Sequence, residues 1–148
     1  MTSVSLQDWL RNGWLVEHKT SKEEIANLLA LAERDLKDAQ TPGLSSDWRH
    51  NIAYNAALQA ATAALAAAGY RASREAHHYR TIHSLAYTIK ANAALIAQLD
   101  KFRKKRNMGG YEQAGVISEH EAGEIVGVAR KLRDQVKEWL RANHPKLL

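Results

Sequence analysis

The densest chemistry in the chain is the stretch LDKFRKKRNMGGYE, Leu99 to Glu112, where Lys101, Arg103, Lys104, Lys105 and Arg106 place five cations within six positions. The net charge is +5, and without these five the remaining 16 basic residues match the 16 acidic ones. Charges within about a Debye length, roughly 8 Å, reinforce one another, so a local excess of this kind suits a phosphate-bearing partner. A solvated helix end is the alternative, because cations near a helix C-terminus also complement its dipole. Two further groups could act with the cations: His78 as proton donor or acceptor, and Tyr111 as a hydroxyl or stacking surface. A planar Arg fork is suited to phosphate, and the Gly109–Gly110 pair would let the backbone approach a ligand.

The elements that must position these groups read as helices. Only two prolines occur, Pro42 and Pro145, and between turn signals the apolar residues recur at helical spacing. Ser21 and Glu24 form a capping-box pattern ahead of the stripe Ile25, Leu28, Leu29, Ala32 and Leu36, which TPG breaks at Thr41. A second helix starts near Ser46 or Asp47 and runs through an alanine-rich stretch, which lets neighbours approach closely, to Gly69 as its C′ residue. The third spans Arg74 to about Lys90 with Ser73 as N-cap, and the fourth Asn92 to about Asn107. The last opens with the capping pair Ser118 and Glu121 and carries a stripe through Trp139 and Leu140 before Pro145. With a short helix around Leu6 to Leu10, the expected fold is all-α: an up-and-down bundle of about five long helices plus a short N-terminal one. One domain covers 1–148, with its core at about 46–143 and a helical extension at about 5–40.

Polar residues interrupt two of the apolar stripes. At about 100° per residue the fourth helix aligns Leu95, Leu99, Phe102 and Arg106, with Arg103 at the edge, while Lys101, Lys104 and Lys105 point elsewhere. The same arithmetic aligns Glu75, His78, Tyr79, Ile82 and Leu85 on the third helix, with His77 and Arg80 outward. An antiparallel turn near Ala91 lies 13 residues after His78 and 15 before Arg106, a mismatch of about 3 Å at a rise of 1.5 Å per residue. Glu75, His78 and Arg106 are therefore expected at one end of the bundle, with Glu75 neutralising Arg106. Two readings stay open: a polar cluster that sets helix register, or the floor of a cleft that holds phosphate.

At these residues the chain resembles the HEPN domain family of small helical bundles found in prokaryotic toxin–antitoxin and antiphage systems and in several ribonucleases. The resemblance runs from about Trp48 to Trp139, through the alanine-rich helix, GYRASREAHHYRTIHSL, LDKFRKKRN and SEHEAGEIVGVARKL. It implies a bundle that dimerises around two copies of the Arg-containing helix end, and, in nuclease members, metal-independent RNA cleavage by an Arg followed four to six residues later by His. Arg106 and the polar Asn107 match the start of that pattern, and Tyr111 stands after four intervening residues where the His would be. Taken with the residue reading above, the expected catalytic set is Arg106, His78 and Tyr111, with Arg103, Lys104, Lys105 and Asn107 on phosphate and Glu75 in support.

Other classes of chemistry have little to stand on. Cysteine is absent, which excludes disulfides, thiolate nucleophiles and Cys-ligated zinc. His77, His78 and His83 with Glu75 invite a metal reading, but no second Glu-x-x-His accompanies them, and His120 with Glu124 fits the acidic first turn of a helix. No phosphate-binding glycine loop, dinucleotide fingerprint or nucleophile elbow occurs. No secretory leader and no membrane span is expected. Trp9, Trp14 and Trp48 are candidates for an interface, with core packing as the default. The expectation is a cytoplasmic, homodimeric HEPN-like protein that needs no metal or cofactor and acts on or binds RNA in a toxin–antitoxin or defence module. The alternative is a catalytically silent module for a nucleotide or a protein partner, such as a nucleotidyltransferase-type antitoxin or another defence subunit.

Overall fold

In the computed structural model, residues 5–109 and 117–148 are described, with side chains up to residue 106 and again from 117. In chain order the elements are α1 (Leu6–Arg11), β1 (Leu15–Glu17), α2 (Lys22–Asp38), α3 (Ser46–Ala67), β2 (Tyr70–Ala72), α4 (His77–His83), α5 (Ala93–Gly109) and α6 (Glu119–Asn143). Short 3-10 turns follow at Ser84–Ala86 and Pro145–Leu147. The described residues are thus mostly helical, in line with an all-α class. Among them no helix is long and apolar enough to cross a membrane.

Helix α3 sits at the centre and is buried nearly all round, its contact surfaces made of Ala53, Ala56, Ala57, Ala60, Ala61, Ala63 and Ala64. Side chains this small let α2 and α6 pack close on either side. The α2 stripe supplies Ile25, Leu29, Ala32 and Leu36, and α6 supplies Ile125, Ala129, Leu132, Val136 and Leu140. Asp35, buried on α2, accepts from Asn55 Nδ2 of α3 at 2.8 Å and from Arg34, so its charge is shared rather than left bare. Caps match the sequence signals: Ser45 caps α3, Gly69 follows it at φ +100°, and Ser118 with Glu121 makes a reciprocal capping box on α6. At Ser21 only half of the expected box forms, because the Glu24 carboxylate turns to His18 at 2.7 Å and Thr20 at 2.6 Å.

The expected third long helix is the main correction. Ser73 does not cap it, since its amide bonds to Trp14 O and its hydroxyl to Gly13 O, at 3.0 and 2.7 Å. These bonds extend a two-stranded antiparallel ribbon, β1 with β2, in which Leu15 faces Ala72 and Glu17 faces Tyr70. The chain leaves the ribbon through Ala76 in the left-handed region, φ 53°, and only then begins α4. Side-chain hydroxyls end α4 early: Ser84 Oγ donates to Thr81 O at 2.7 Å, and a 3-10 turn replaces the next α turn. Long helices therefore number four among the described residues rather than about five. The up-and-down order fails with it, because α6 begins beside the beginning of α3, where Ile117 N donates to Asp47 Oδ1 at 3.2 Å.

The alanine contacts of α3 have a direct consequence. Ala60→Leu, at a fully buried position, is expected to lower stability by about 1–3 kcal/mol through overpacking. Ala97→Leu, on the exposed side of α5, should change it by less than about 0.5 kcal/mol. Urea unfolding of both variants checks this; equal effects would mean that α3 does not set the helix spacing.

Candidate functional site

Helix α5 buries Ile96, Leu99 and Phe102 against the core, and Arg106 continues that side one turn further. Its guanidinium carbon lies 5.5 Å from the ring centroid of Tyr54, a residue of α3 that is 1% exposed. His78, in the first turn of α4, places Nδ1 3.2 Å from the Tyr54 hydroxyl. The two residues that interrupt apolar stripes thus meet on one buried tyrosine, and α4 and α5 run antiparallel as expected, His83 facing Asp100 and Tyr79 facing Arg103. An open cavity of about 460 Å³ lies against His78, lined by Ala76, His77, His78, Tyr79 and Arg103.

Asp100 organises the cations beside this cavity. Its carboxylate accepts from Arg103 Nε at 2.9 Å, pairs with Lys104 at 3.4 Å and lies 3.6 Å from His83 Nε2. Burial works to raise its pKa, yet the Arg103 bond and the surrounding positive charge hold it below the usual carboxylate value. Lys105 reaches across to Glu121 of α6 at 3.3 Å, and Lys101 is exposed. The charge run therefore divides: Arg103, Lys104 and Lys105 have acidic partners, whereas Arg106 has no ion pair among the described residues. The Arg103 pair is largely buried, whereas Lys104 is well exposed and its pair is weak, roughly 0–1 kcal/mol, so a polyanion can displace it.

Glu75 does not join the cluster. It lies exposed in the turn before α4, and no ion pair joins it to Arg106. The stripe arithmetic placed it inward only by continuing a helix through residues where the ribbon and Ala76 prevent one. Tyr111 lies outside the described residues, and Asn107 is described only as backbone of α5. Of the histidines, His77 and His78 share the cavity with ring centroids 6.0 Å apart, whereas His83 stacks on Tyr79 at 4.0 Å. His120 and Glu124 face each other at 3.8 Å at the start of α6. Among the described residues no group of three or more His, Asp or Glu side chains is placed to hold a metal ion.

Tyr54 is the residue that sequence reasoning missed. Its signal was present, as the lone tyrosine of an alanine helix, since a buried tyrosine hydroxyl nearly always finds a partner. Burial pushes its pKa up to about 12, so the phenol keeps its proton. Its hydroxyl lies within hydrogen-bond distance of His78 Nδ1; with the phenol as donor, the Nδ1 lone pair is occupied and Nε2–H is the donor His78 presents. Burial, followed by the charges of Arg106, His77 and Arg103, lowers the His78 pKa below the ordinary imidazole value of 6.5. The site is thus a neutral imidazole N–H beside two guanidinium groups. His50, one turn before Tyr54, is 1% exposed with its Nδ1 unpartnered, packed edge-on against Phe102, and burial lowers its pKa too.

Compared with known proteins, the chain matches no family model, no curated protein and no solved structure.

The His78 pKa supplies a test of the geometry. With the folded value depressed, protonation favours the unfolded chain, so this contribution to stability is intact above about pH 6.5 and is lost as pH falls below it. Arg106→Gln removes a neighbouring cation and is expected to raise the His78 titration midpoint toward 6.5 in proton NMR. An unchanged midpoint would separate Arg106 from His78.

Proposed function

We propose that this chain is an HEPN-like, cytoplasmic RNA-binding protein of a toxin–antitoxin or antiphage defence module, with the phosphate backbone held at the cavity between α4 and α5. One observation carries the reading: His78 and Arg103 line one open cavity, and Arg106, which has no acidic partner among the described residues, lies beside Tyr54, the hydrogen-bond partner of His78. Arg supplies a planar fork, neutral His78 supplies an N–H donor, and Lys104 and Lys105 exchange weak carboxylate pairs for phosphate. In this reading two copies meet through α4 and α5, so that two Arg106 side chains flank a shared cleft.

Cleavage is a second reading, favoured by the two imidazoles on one cavity. His77 would take the proton of a ribose 2′-hydroxyl, the 2′ oxygen would bond to phosphorus, and the P–O5′ bond would break. The leaving 5′ oxygen would take its proton from the protonated fraction of His78, giving a 2′,3′-cyclic phosphate and a 5′-hydroxyl. Arg103 and Arg106 would stabilise the charge that develops on the phosphoryl oxygens.

RNA binding measured by fluorescence anisotropy across a salt series tests the first reading. Arg106→Lys keeps the charge but loses the fork, and is expected to weaken binding by about tenfold or more without a matching loss of stability. Neutralising Lys104 and Lys105 together should reduce the slope of log affinity against log salt by about 1.4. No affinity at low salt would contradict the reading. Incubation with EDTA, followed by analysis for cyclic-phosphate ends, tests cleavage.

A further inference from the structure

We propose that the row Trp14, Arg80, Tyr79 and Arg103 is a base-stacking surface, continuous with the cavity, that takes unpaired bases of single-stranded RNA. It rests on the RNA reading and adds which part of the nucleic acid is held outside the phosphate site. The Arg80 guanidinium lies 3.7 Å from the Trp14 ring centroid and 5.3 Å from that of Tyr79. Arg103 lies 5.5 Å from the same Tyr79 ring, and Tyr79 and Arg103 both line the cavity. Aromatic rings and guanidinium groups therefore alternate from the ribbon to the proposed phosphate site, with Tyr79 itself stacked on His83 at 4.0 Å.

Trp14 is held in place without a ligand. Its amide donates to Trp9 O and its carbonyl accepts from Ser73 N, both at 3.0 Å, and the buried Trp9 ring meets it edge-on at 6.0 Å between centroids. The residue nonetheless remains 36% exposed, one of three large apolar residues exposed among those described. Arg80 has no carboxylate partner among the described residues either. A cation laid on an exposed tryptophan, uncompensated by acid, is complementary to the π-face of a base and its adjoining phosphate. Stacked bases inside a duplex cannot offer those faces, so the surface selects single strands.

The test uses the full chain and two fluorescent RNA oligomers of equal length and charge, one with bases and one abasic throughout. At low salt the base-bearing oligomer is expected to bind about 5- to 150-fold more tightly. Trp14→Ala should reduce it to the abasic level, while Trp14→Phe, which keeps a ring, should retain most of the difference. The wild-type chain adds a readout independent of truncation: the base-bearing oligomer should quench a tryptophan emission component that is missing in Trp14→Phe. Unchanged base-bearing affinity in Trp14→Ala, or quenching that survives in Trp14→Phe, overturns the stacking surface while leaving phosphate binding in place. If neither oligomer binds at low salt, the RNA reading itself fails and this surface with it.

Discussion

Helix α3 is narrow because it is built from alanine, and the other helices take their spacing from that width. Methyl groups at Ala53, Ala56, Ala57, Ala60, Ala61 and Ala64 let α2 and α6 close over it, and their larger side chains fill the space between. The exceptions on α3 are as consequential as the rule. His50 and Tyr54 fall in its first half, where α4 and α5 cross the helix, and each is met by a residue of α5: Phe102 edge-on to His50, Arg106 beside Tyr54.

Electrostatics then decides what the cavity between α4 and α5 can hold. Burial of His78, reinforced by the nearby charges of Arg106 and Arg103, disfavours the imidazolium, so positive charge is carried by guanidinium groups that cannot release it, and the imidazole contributes a neutral donor. Asp100 shapes the arrangement by fixing Arg103 and drawing Lys104 and His83 to the same carboxylate. Without an acid at that position, five cations within six residues would repel one another and disperse into solvent. With it, and with Glu121 on Lys105, the run becomes a fixed guanidinium at the cavity wall, two carboxylate-paired lysines, one exposed lysine and one arginine beside the buried phenol.

Much of this arrangement is legible in the sequence. The helices α2, α5 and α6 announce themselves through capping residues and apolar stripes, α3 through its alanines and the Gly69 that ends it, and the interruptions at His78 and Arg106 point to a shared location, which Tyr54 provides. The region from 70 to 92 reads wrongly, for physical reasons. Strands of three residues are too short for an alternating pattern to stand out, and their pairing joins Leu15 to Ala72 across the whole of α2 and α3. Ser73 looks like an N-cap because its hydroxyl can serve one, but the partner it takes, Gly13 O, is distant in sequence. Glu75 is misplaced along with it, since a stripe has meaning only where the helix continues. Tyr54 escapes notice because its role comes from two residues on two later helices, which no local spacing records.

At the heart of the proposed site, Tyr54 fixes His78 as a neutral Nε2–H donor for phosphate. Nitrogen-15 NMR of the His78 ring, at neutral pH and with a short single-stranded RNA added stepwise, reads that donor directly. The expected result is a protonated Nε2 and an unprotonated, hydrogen-bonded Nδ1 in the free protein, with the Nε2–H resonance moving as RNA binds. A proton on Nδ1, an imidazolium at neutral pH, or an Nε2–H resonance unmoved by saturating RNA would contradict it.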